Sequence, residues 1–164
     1  MNVTFEAIRP EHLQQVLEIY TYYVLNTTAT FHTNPPSLEE MKRMVFFDNP
    51  RYQTFVILEG EVVCGYVLLN QFKNREGYDR TAEVTLYLNP DYVGKGIGSR
   101  ALQHIEAFAR TKDVRVLVSI ICGENQRSID VFTRNGYTQC ACYRQVGEKF
   151  GQLLDVLAYQ KILE

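Results

Sequence analysis

A chain of 164 residues, 46% hydrophobic and 22% charged, has the size and composition of one compact domain, expected here over 1–164. Its 11 tyrosines, 9 phenylalanines and net charge of -2 exclude a disordered chain. No apolar run approaches the ~20 residues of a membrane span, and 17 Lys and Arg against 19 Asp and Glu, with no basic run, argue against a nucleic-acid-coating role.

The opening residues, Met1 to Glu6, have neither a basic nor an apolar leader region, so a cytoplasmic location is expected. Residues 3–8 alternate loosely and read as a strand. Pro10 suits the first turn of a helix, and Leu13, Val16, Leu17, Tyr20 and Val24 follow at helical spacing on one face. The polar, β-branched segment Asn26 to His32 reads as a loop ended by Pro35-Pro36. Ser37 and Glu40 have capping-box spacing, and Leu38, Met41 and Val45 supply the apolar face of a second helix.

Asp48-Asn49-Pro50 breaks that helix. Thr54 to Leu58 and Val62 to Gln71 read as strands joined by a turn at Glu59-Gly60-Glu61. A polar excursion, Lys73 to Arg80, precedes a fourth strand, Thr81 to Leu88. The glycine-rich turn Gly94-Lys95-Gly96-Ile97-Gly98 then opens a helix with apolar positions at Ile97, Ala101, Leu102, Ile105 and Phe108. Val114 to Cys122 is a near-continuous apolar run, as in a strand buried on both faces. Asn125 to Asn135 reads as a helix stopped by Gly136, and two last strands, about 138–147 and 152–163, flank Gly147 to Gly151. The order β-α-α-β-β-β-α-β-α-β-β predicts an α+β fold with a mixed sheet, parallel where strands alternate with helices and antiparallel at the hairpin.

The cysteines, Cys64, Cys122, Cys140 and Cys142, are too few for a disulfide scaffold. Cys140 and Cys142 form C-x-C with no further ligand-spaced partner, and His12, His32 and His104 are scattered, so no metal is expected. All four cysteines read as buried strand thiols.

The glycine turn admits two readings. Alternating glycines at a helix start leave backbone N–H groups free beside the positive end of the helix dipole, which suits a phosphate or pyrophosphate. They also suit a tight strand-to-helix turn that needs positive φ. A P-loop is absent. The five residues from Asn89 to Val93 between strand and glycine, and the acid-free run from Val114 to Cys122, disfavour a dinucleotide fold.

Glu83 to Pro90 followed by Tyr92-Val93-Gly94-Lys95-Gly96-Ile97-Gly98 resembles motif A of the GNAT superfamily of N-acetyltransferases. Asn125-Gln126-Arg127-Ser128 and Asn135-Gly136-Tyr137 resemble its next motif. Ile19-Tyr20 with Tyr23 to Phe31, Tyr78 with Thr81-Ala82-Glu83, and Val146-Gly147 with Lys149-Phe150-Gly151 and Asp155-Val156 are similar to the phosphinothricin and methionine sulfoximine acetyltransferase branch.

The resemblance covers about residues 3 to 162. It implies a mixed, mostly antiparallel seven-stranded sheet flanked by about four helices, with acetyl-CoA as co-substrate. Its pyrophosphate would sit on the amides of Gly94, Lys95, Gly96, Ile97, Gly98 and Ser99. Its pantetheine arm would pair along Leu86, Tyr87 and Leu88, near Asn125, which also suits a helix cap. Glu83 matches the family's acidic residue and would take the proton of the acceptor amine; an ordinary strand carboxylate is the alternative. Phe31, Arg75 and Tyr78 match residues lining the acceptor site, where a guanidinium could pair with a carboxylate or phosphinate.

The chain departs from the pattern at Val93, where the family usually has Arg or Gln. It also departs at Phe132, which stands where a Tyr or His often protonates the leaving thiolate. Arg80 and Leu153 replace aromatics near the expected acceptor cleft. The implied activity is acetyl transfer to the amine of a small amino acid or analogue, in a homodimer whose acceptor cleft lies near the partner chain. A peptide N-terminus or other amine as acceptor, and a non-catalytic acyl-CoA-binding module, are the alternatives.

Overall fold

The computed structural model describes residues 2–164. Met1, the first residue of the expected domain and of the stretch read for a leader, lies outside the described residues. The elements run β1 (Thr4–Ala7), α1 (Leu13–Asn26), α2 (Leu38–Val45), β2 (Gln53–Glu59), β3 (Val62–Gln71), β4 (Thr81–Leu88), α3 (Ile97–Thr111), β5 (Val116–Cys122), α4 (Gln126–Arg134), β6 (Thr138–Lys149) and β7 (Gln152–Ile162). Short 3-10 turns at Pro10–His12, Glu76–Tyr78 and Pro90–Tyr92 fill the connections.

Most local signals act as read, but Leu38, expected on the apolar face of α2, is 45% exposed, and on α1 Ile19 is buried while Leu17 is only partly so. Ser37 Oγ accepts from the Glu40 amide at 3.1 Å while Glu40 Oε1 accepts from the Ser37 amide at 2.9 Å, closing both halves of the capping box of α2. Leu13, Val16, Ile19, Tyr20 and Val24 are the buried stripe of α1. Gly136, with φ +90°, follows α4.

The strands form one seven-stranded sheet in the order β1-β2-β3-β4-β5-β7-β6. Only β4 and β5 pair in parallel, joined by the crossover through α3; the other neighbours are antiparallel. This is the mixed α+β fold expected. The sheet separates two apolar cores. On one face α1 and α2 press Val16, Ile19, Met41 and Val45 onto Val56, Tyr66 and Leu68. On the other, α3 buries Ile97, Ala101, Leu102 and Ile105 against Val67, Leu69, Val84 and Leu117, with Phe132 of α4 beside them. Adjacent residues of β3 therefore serve opposite cores, which is why it reads as a continuous apolar run.

Three sequence expectations are corrected. Cys64 and Cys122 are buried, but Cys140 and Cys142 are exposed, because β6 is an edge strand whose residues are mostly open to solvent. The expected five-residue connector at 147–151 is a two-residue turn: Phe150 and Gly151 both take positive φ, at +52° and +74°, so the hairpin closes tightly and β6 runs on to Lys149. β5 is not buried on both faces throughout, since Ile120 is 45% exposed.

Candidate active site

The sheet forks at Glu83. Rungs pair Thr81 with Val116, Ala82 with Leu117 and Glu83 with Val118, and the ladder stops there. Beyond it β4 continues to Leu88 held only by β3, and β5 continues to Cys122 held only by β7. The strands part, so backbone groups of residues 84–88 on that side have no strand partner. An extended, amide-bearing ligand can pair there as an added strand.

The fork opens into two connected clefts. The smaller, about 210 Å³, is lined by Glu83, Thr85 and Tyr87 from one face of β4, by Ser119 to Cys122 of β5, and by Ala29, Thr30 and Phe31 from the loop after α1. The strand alternation that predicts a shared Glu83–Thr85–Tyr87 face is thus realised, and that face meets a cavity. Burial raises the pKa of the Glu83 carboxyl, and among the described residues no group bonds it. Such a carboxylate is poised to take a proton.

The larger cleft, about 700 Å³, shares Ala29, Leu86, Tyr87, Asn125 and Ser128 with the first and runs to the glycine turn. Gly94 and Gly96 take φ of +76° and +79°, and a Cβ on either would meet nothing within 4 Å. Glycine is needed there for conformation, and open space remains over the turn. α3 starts at Gly96 with no side-chain cap, so its first-turn amides point into that space unsatisfied by any side chain. Arg127 and Arg134 of α4 line the same cleft. Free amides, a helix N-terminus and guanidinium groups fit a pyrophosphate-bearing ligand. Gly98 serves packing instead: a Cβ there would sit 3.3 Å from Val131, where α3 meets α4.

Most residues singled out in the sequence come together here. Glu83 and Phe31 line the smaller cleft; Leu86, Tyr87 and Asn125 line both; Leu88, Gly94, Gly96, Gly98 and Ser99 line the larger. Asn125 also caps α4, its Oδ1 accepting from the Ser128 amide at 3.3 Å. Ile97 is buried in the core, so it can offer only its amide, and the exposed Lys95 carries its ammonium 5.6 Å from the Tyr92 ring centroid. Val93 lines the larger cleft, and Phe132, 2% exposed, lines the smaller with its ring edge-on to Tyr137.

Arg75 and Tyr78 line neither cleft of the chain. They sit in the excursion before β4, where Tyr78 stands edge-on to Phe72 with centroids 5.8 Å apart. Arg80 and Leu153 also line neither cleft. Arg80 Nε donates to the Asp113 carbonyl at 3.0 Å, which pins the turn before β5.

The sequence reading missed Tyr23, Thr28, Glu124, Arg127 and Arg134 in the larger cleft. Tyr23 donates its hydroxyl to the Leu88 carbonyl, and burial pushes its pKa up to about 12. Thr28 donates to Glu124 Oε1 at 2.5 Å, tying the loop after α1 to the turn before α4. These contacts join residues 65 and 96 positions apart, and no local spacing signals them.

Comparison with known proteins agrees with this geometry. Residues 13–137 match the Acetyltransferase (GNAT) family. The chain is 34% identical over 157 residues to an L-methionine sulfoximine/L-methionine sulfone acetyltransferase of Pseudomonas aeruginosa, covering 93% of this chain and 90% of that protein. It is 32% identical over 152 residues to an L-amino acid N-acyltransferase of Escherichia coli, covering 91% and 87%. A GNAT superfamily phosphinothricin acetyltransferase from Sinorhizobium meliloti, solved with acetyl-CoA, superposes with a TM-score of 0.93 at 30% identity over 99% of this chain and 89% of that one. With the forked sheet, the capless glycine turn and these relatives in agreement, the chain belongs to the GNAT family and is an acetyl-CoA-dependent N-acetyltransferase.

Proposed function

We propose that the protein acetylates the α-amine of a small amino acid or close analogue, of the methionine sulfoximine or phosphinothricin type, and that it does so as a single N-acetyltransferase domain in the cytoplasm. The observation that carries the reading is Glu83 at the fork, half-buried, unbonded and facing a cleft of about 210 Å³, a size suited to a small acceptor. The relatives' names point to the same acceptor class.

Acetyl-CoA supplies an activated acyl carbon as a thioester. Gly94 to Ser99 hold its pyrophosphate through backbone amides, helped by Arg127 and Arg134. Leu86 to Leu88 pair with its extended arm, and Asn125 stands where the clefts meet. Glu83 takes a proton from the acceptor ammonium, because only the neutral amine has a lone pair to attack with. A free backbone amide of β4 past the fork can stabilise charge on the thioester oxygen. Phe132 has no proton to give to the departing sulfur. A thiol with a pKa of about 8.5 is a tolerable leaving group, so turnover survives that loss.

The protein works as a homodimer on this reading. Tyr143, Val146, Phe150 and Leu153 of the β6–β7 hairpin are each more than half exposed, an apolar strip of the kind that a partner covers. Arg75 and Tyr78, which line neither cleft in one chain, then contribute to acceptor binding through assembly.

The test is release of CoA thiol, followed with a thiol-reactive dye, across phosphinothricin, methionine sulfoximine, methionine sulfone, common amino acids, polyamines and a short peptide, with light scattering for mass. Release with the sulfoximine or phosphinothricin is expected. Release with only the peptide or polyamines overturns the acceptor class, silence across the panel overturns catalysis, and a monomer mass overturns the dimer.

A further inference from the structure

The loop after α1 carries a feature that the acetyl-transfer chemistry above does not use. Thr30, buried at 7% exposure, lines the acceptor cleft beside Glu83 and Tyr87. Its hydroxyl lies 2.6 Å from the Tyr20 hydroxyl. Tyr20 is buried in α1, and its hydroxyl also bonds Nδ1 of His32. The His32 ring stands edge-on to Tyr20, with centroids 5.5 Å apart, and the residue is exposed. The bonds thus run from the floor of the cleft to the surface.

The loop is held in this course. Lys149 Nζ donates to the Thr30 carbonyl at 2.7 Å, and Tyr87 donates to the Ala29 carbonyl at 3.3 Å. Phe31 lies over Gly147 so closely that any side chain there would clash with its ring. Satisfying the Thr30 and Tyr20 hydroxyls needs only their mutual bond. The imidazole adds something further, a group with one nitrogen facing inward and a second able to meet solvent. Glu40 of α2 is the carboxylate near His32, its own pKa held down chiefly by the Ser37 bonds and slightly by that ring, and Tyr87 packs on Tyr20 from β4 with centroids 5.5 Å apart.

We propose that Thr30, Tyr20 and His32 form a proton exit from the acceptor cleft to solvent. The proposal rests on the amine-acetylating function above. There, R–NH3+ and acetyl-CoA give the amide, CoA thiol and one proton, and that proton must leave the site at every turnover.

Glu83 takes the proton from the ammonium and passes it, through water in the cleft, to the Thr30 oxygen. The Thr30 hydroxyl proton moves to the Tyr20 oxygen, and the Tyr20 proton moves to His32 Nδ1. The Nε2 proton of the imidazolium then leaves to water. Each group gains one proton and loses one. Rotation of the hydroxyls and return of the imidazole tautomer reset the series.

The test uses the full chain with the best acceptor from the panel, in dilute buffer at neutral pH. His32→Ala is at the surface, so it should fold as the parent does. It should lower kcat roughly tenfold, less than the ~10²–10⁴ of a positioned general base because water still reaches the cleft. KM for both substrates should hold, and added imidazole should restore the rate. Tyr20→Phe should slow kcat without such rescue, because its break lies inside the protein. An unchanged kcat in His32→Ala, or a loss that imidazole does not restore, overturns the proposal.

A second readout needs no turnover. The 15N signals of the His32 ring should show an accepting Nδ1 in the parent and should shift in Tyr20→Phe; unmoved signals overturn the proposal. A parent enzyme silent with every amine overturns the function and the exit with it. An active parent with the contrary variant results overturns the exit alone.

Discussion

Glu83 stands opposite Val118 on the last rung of the only parallel ladder in the sheet. One residue therefore marks the end of the β4–β5 pairing and the start of the candidate acceptor cleft. Its backbone is held by neighbours on both sides, pairing Asn70 on β3 and Val118 on β5. Its carboxylate is thereby positioned by a residue paired on both sides, while the backbone beyond it has a strand partner only in β3.

Replacing Glu83 by Gln should lower kcat at neutral pH by about 100-fold or more, the range of a positioned general base. The rate should recover toward high pH as the acceptor amine loses its proton unaided. In the parent, burial raises the Glu83 pKa, so the acid limb of the pH profile should lie above that of an ordinary carboxylate. The stability effect has the opposite sign. The folded chain holds this proton more tightly than the unfolded chain, so stability falls as pH rises from the ordinary to the raised value. The Gln variant lacks that loss and should melt at or above the parent temperature at pH 7, with the advantage fading in acid.

Gly96→Ala should separate cofactor from acceptor binding. The added methyl meets nothing within 4 Å, but φ of +79° is a left-handed conformation that costs an alanine about 1–2 kcal/mol. Denaturant titration should show that loss. The shifted amides at the start of α3 should raise KM for acetyl-CoA and leave KM for the acceptor unchanged.

Lys149 is buried at 3% exposure and donates only to the carbonyls of Thr30, at 2.7 Å, and Tyr23, at 3.5 Å. Lys149→Met should release the Thr30 carbonyl, loosen the wall of the acceptor cleft and raise KM for the acceptor more than KM for acetyl-CoA. Burial lowers the Lys149 pKa from its usual 10.5. Between the lowered and the usual value the unfolded chain binds more protons, so this residue adds stability as pH rises through that window. The melting difference between parent and variant should therefore grow in the parent's favour on the alkaline side.

Lys161 of β7 binds Glu106 Oε1 of α3 at 2.8 Å and the Asn135 carbonyl at 2.7 Å, tying the last strand to both helices of one face. The Glu106 side chain is 6% exposed and the Lys161 side chain 26%. Removing the ammonium strands a buried carboxylate. Lys161→Met should cost about 3 kcal/mol, the low end for a buried pair because a quarter of Lys161 remains in solvent. The double variant Lys161→Met with Glu106→Leu should recover most of that loss in urea unfolding; a double variant as unstable as the single one would rule out the stranded charge as the cause.

The order of elements was legible because each depends on its own neighbours in sequence. The Ser37–Glu40 capping box, the apolar stripe of α1 and the turn at Glu59 to Glu61 are decided within a few residues. The glycine turn carries an equally local signal, since positive φ at Gly94 and Gly96 is a property of those two residues. The resemblance across residues 83–98 then marked Glu83 and the cofactor-binding turn before any fold was in view.

Only the tertiary structure decided where the sheet forks, because strand pairing between residues more than thirty positions apart depends on how α3 packs beneath them. It decided that Cys140 and Cys142 face solvent, because edge position belongs to the sheet and not to the strand. It kept Arg75 and Tyr78 away from the clefts of one chain. It brought Thr30, Tyr20 and His32 into one series, because the loop after α1 is anchored by Lys149, which lies 119 residues further along the chain. Residue types and short spacings name the chemistry available; long-range packing decides which of those groups meet.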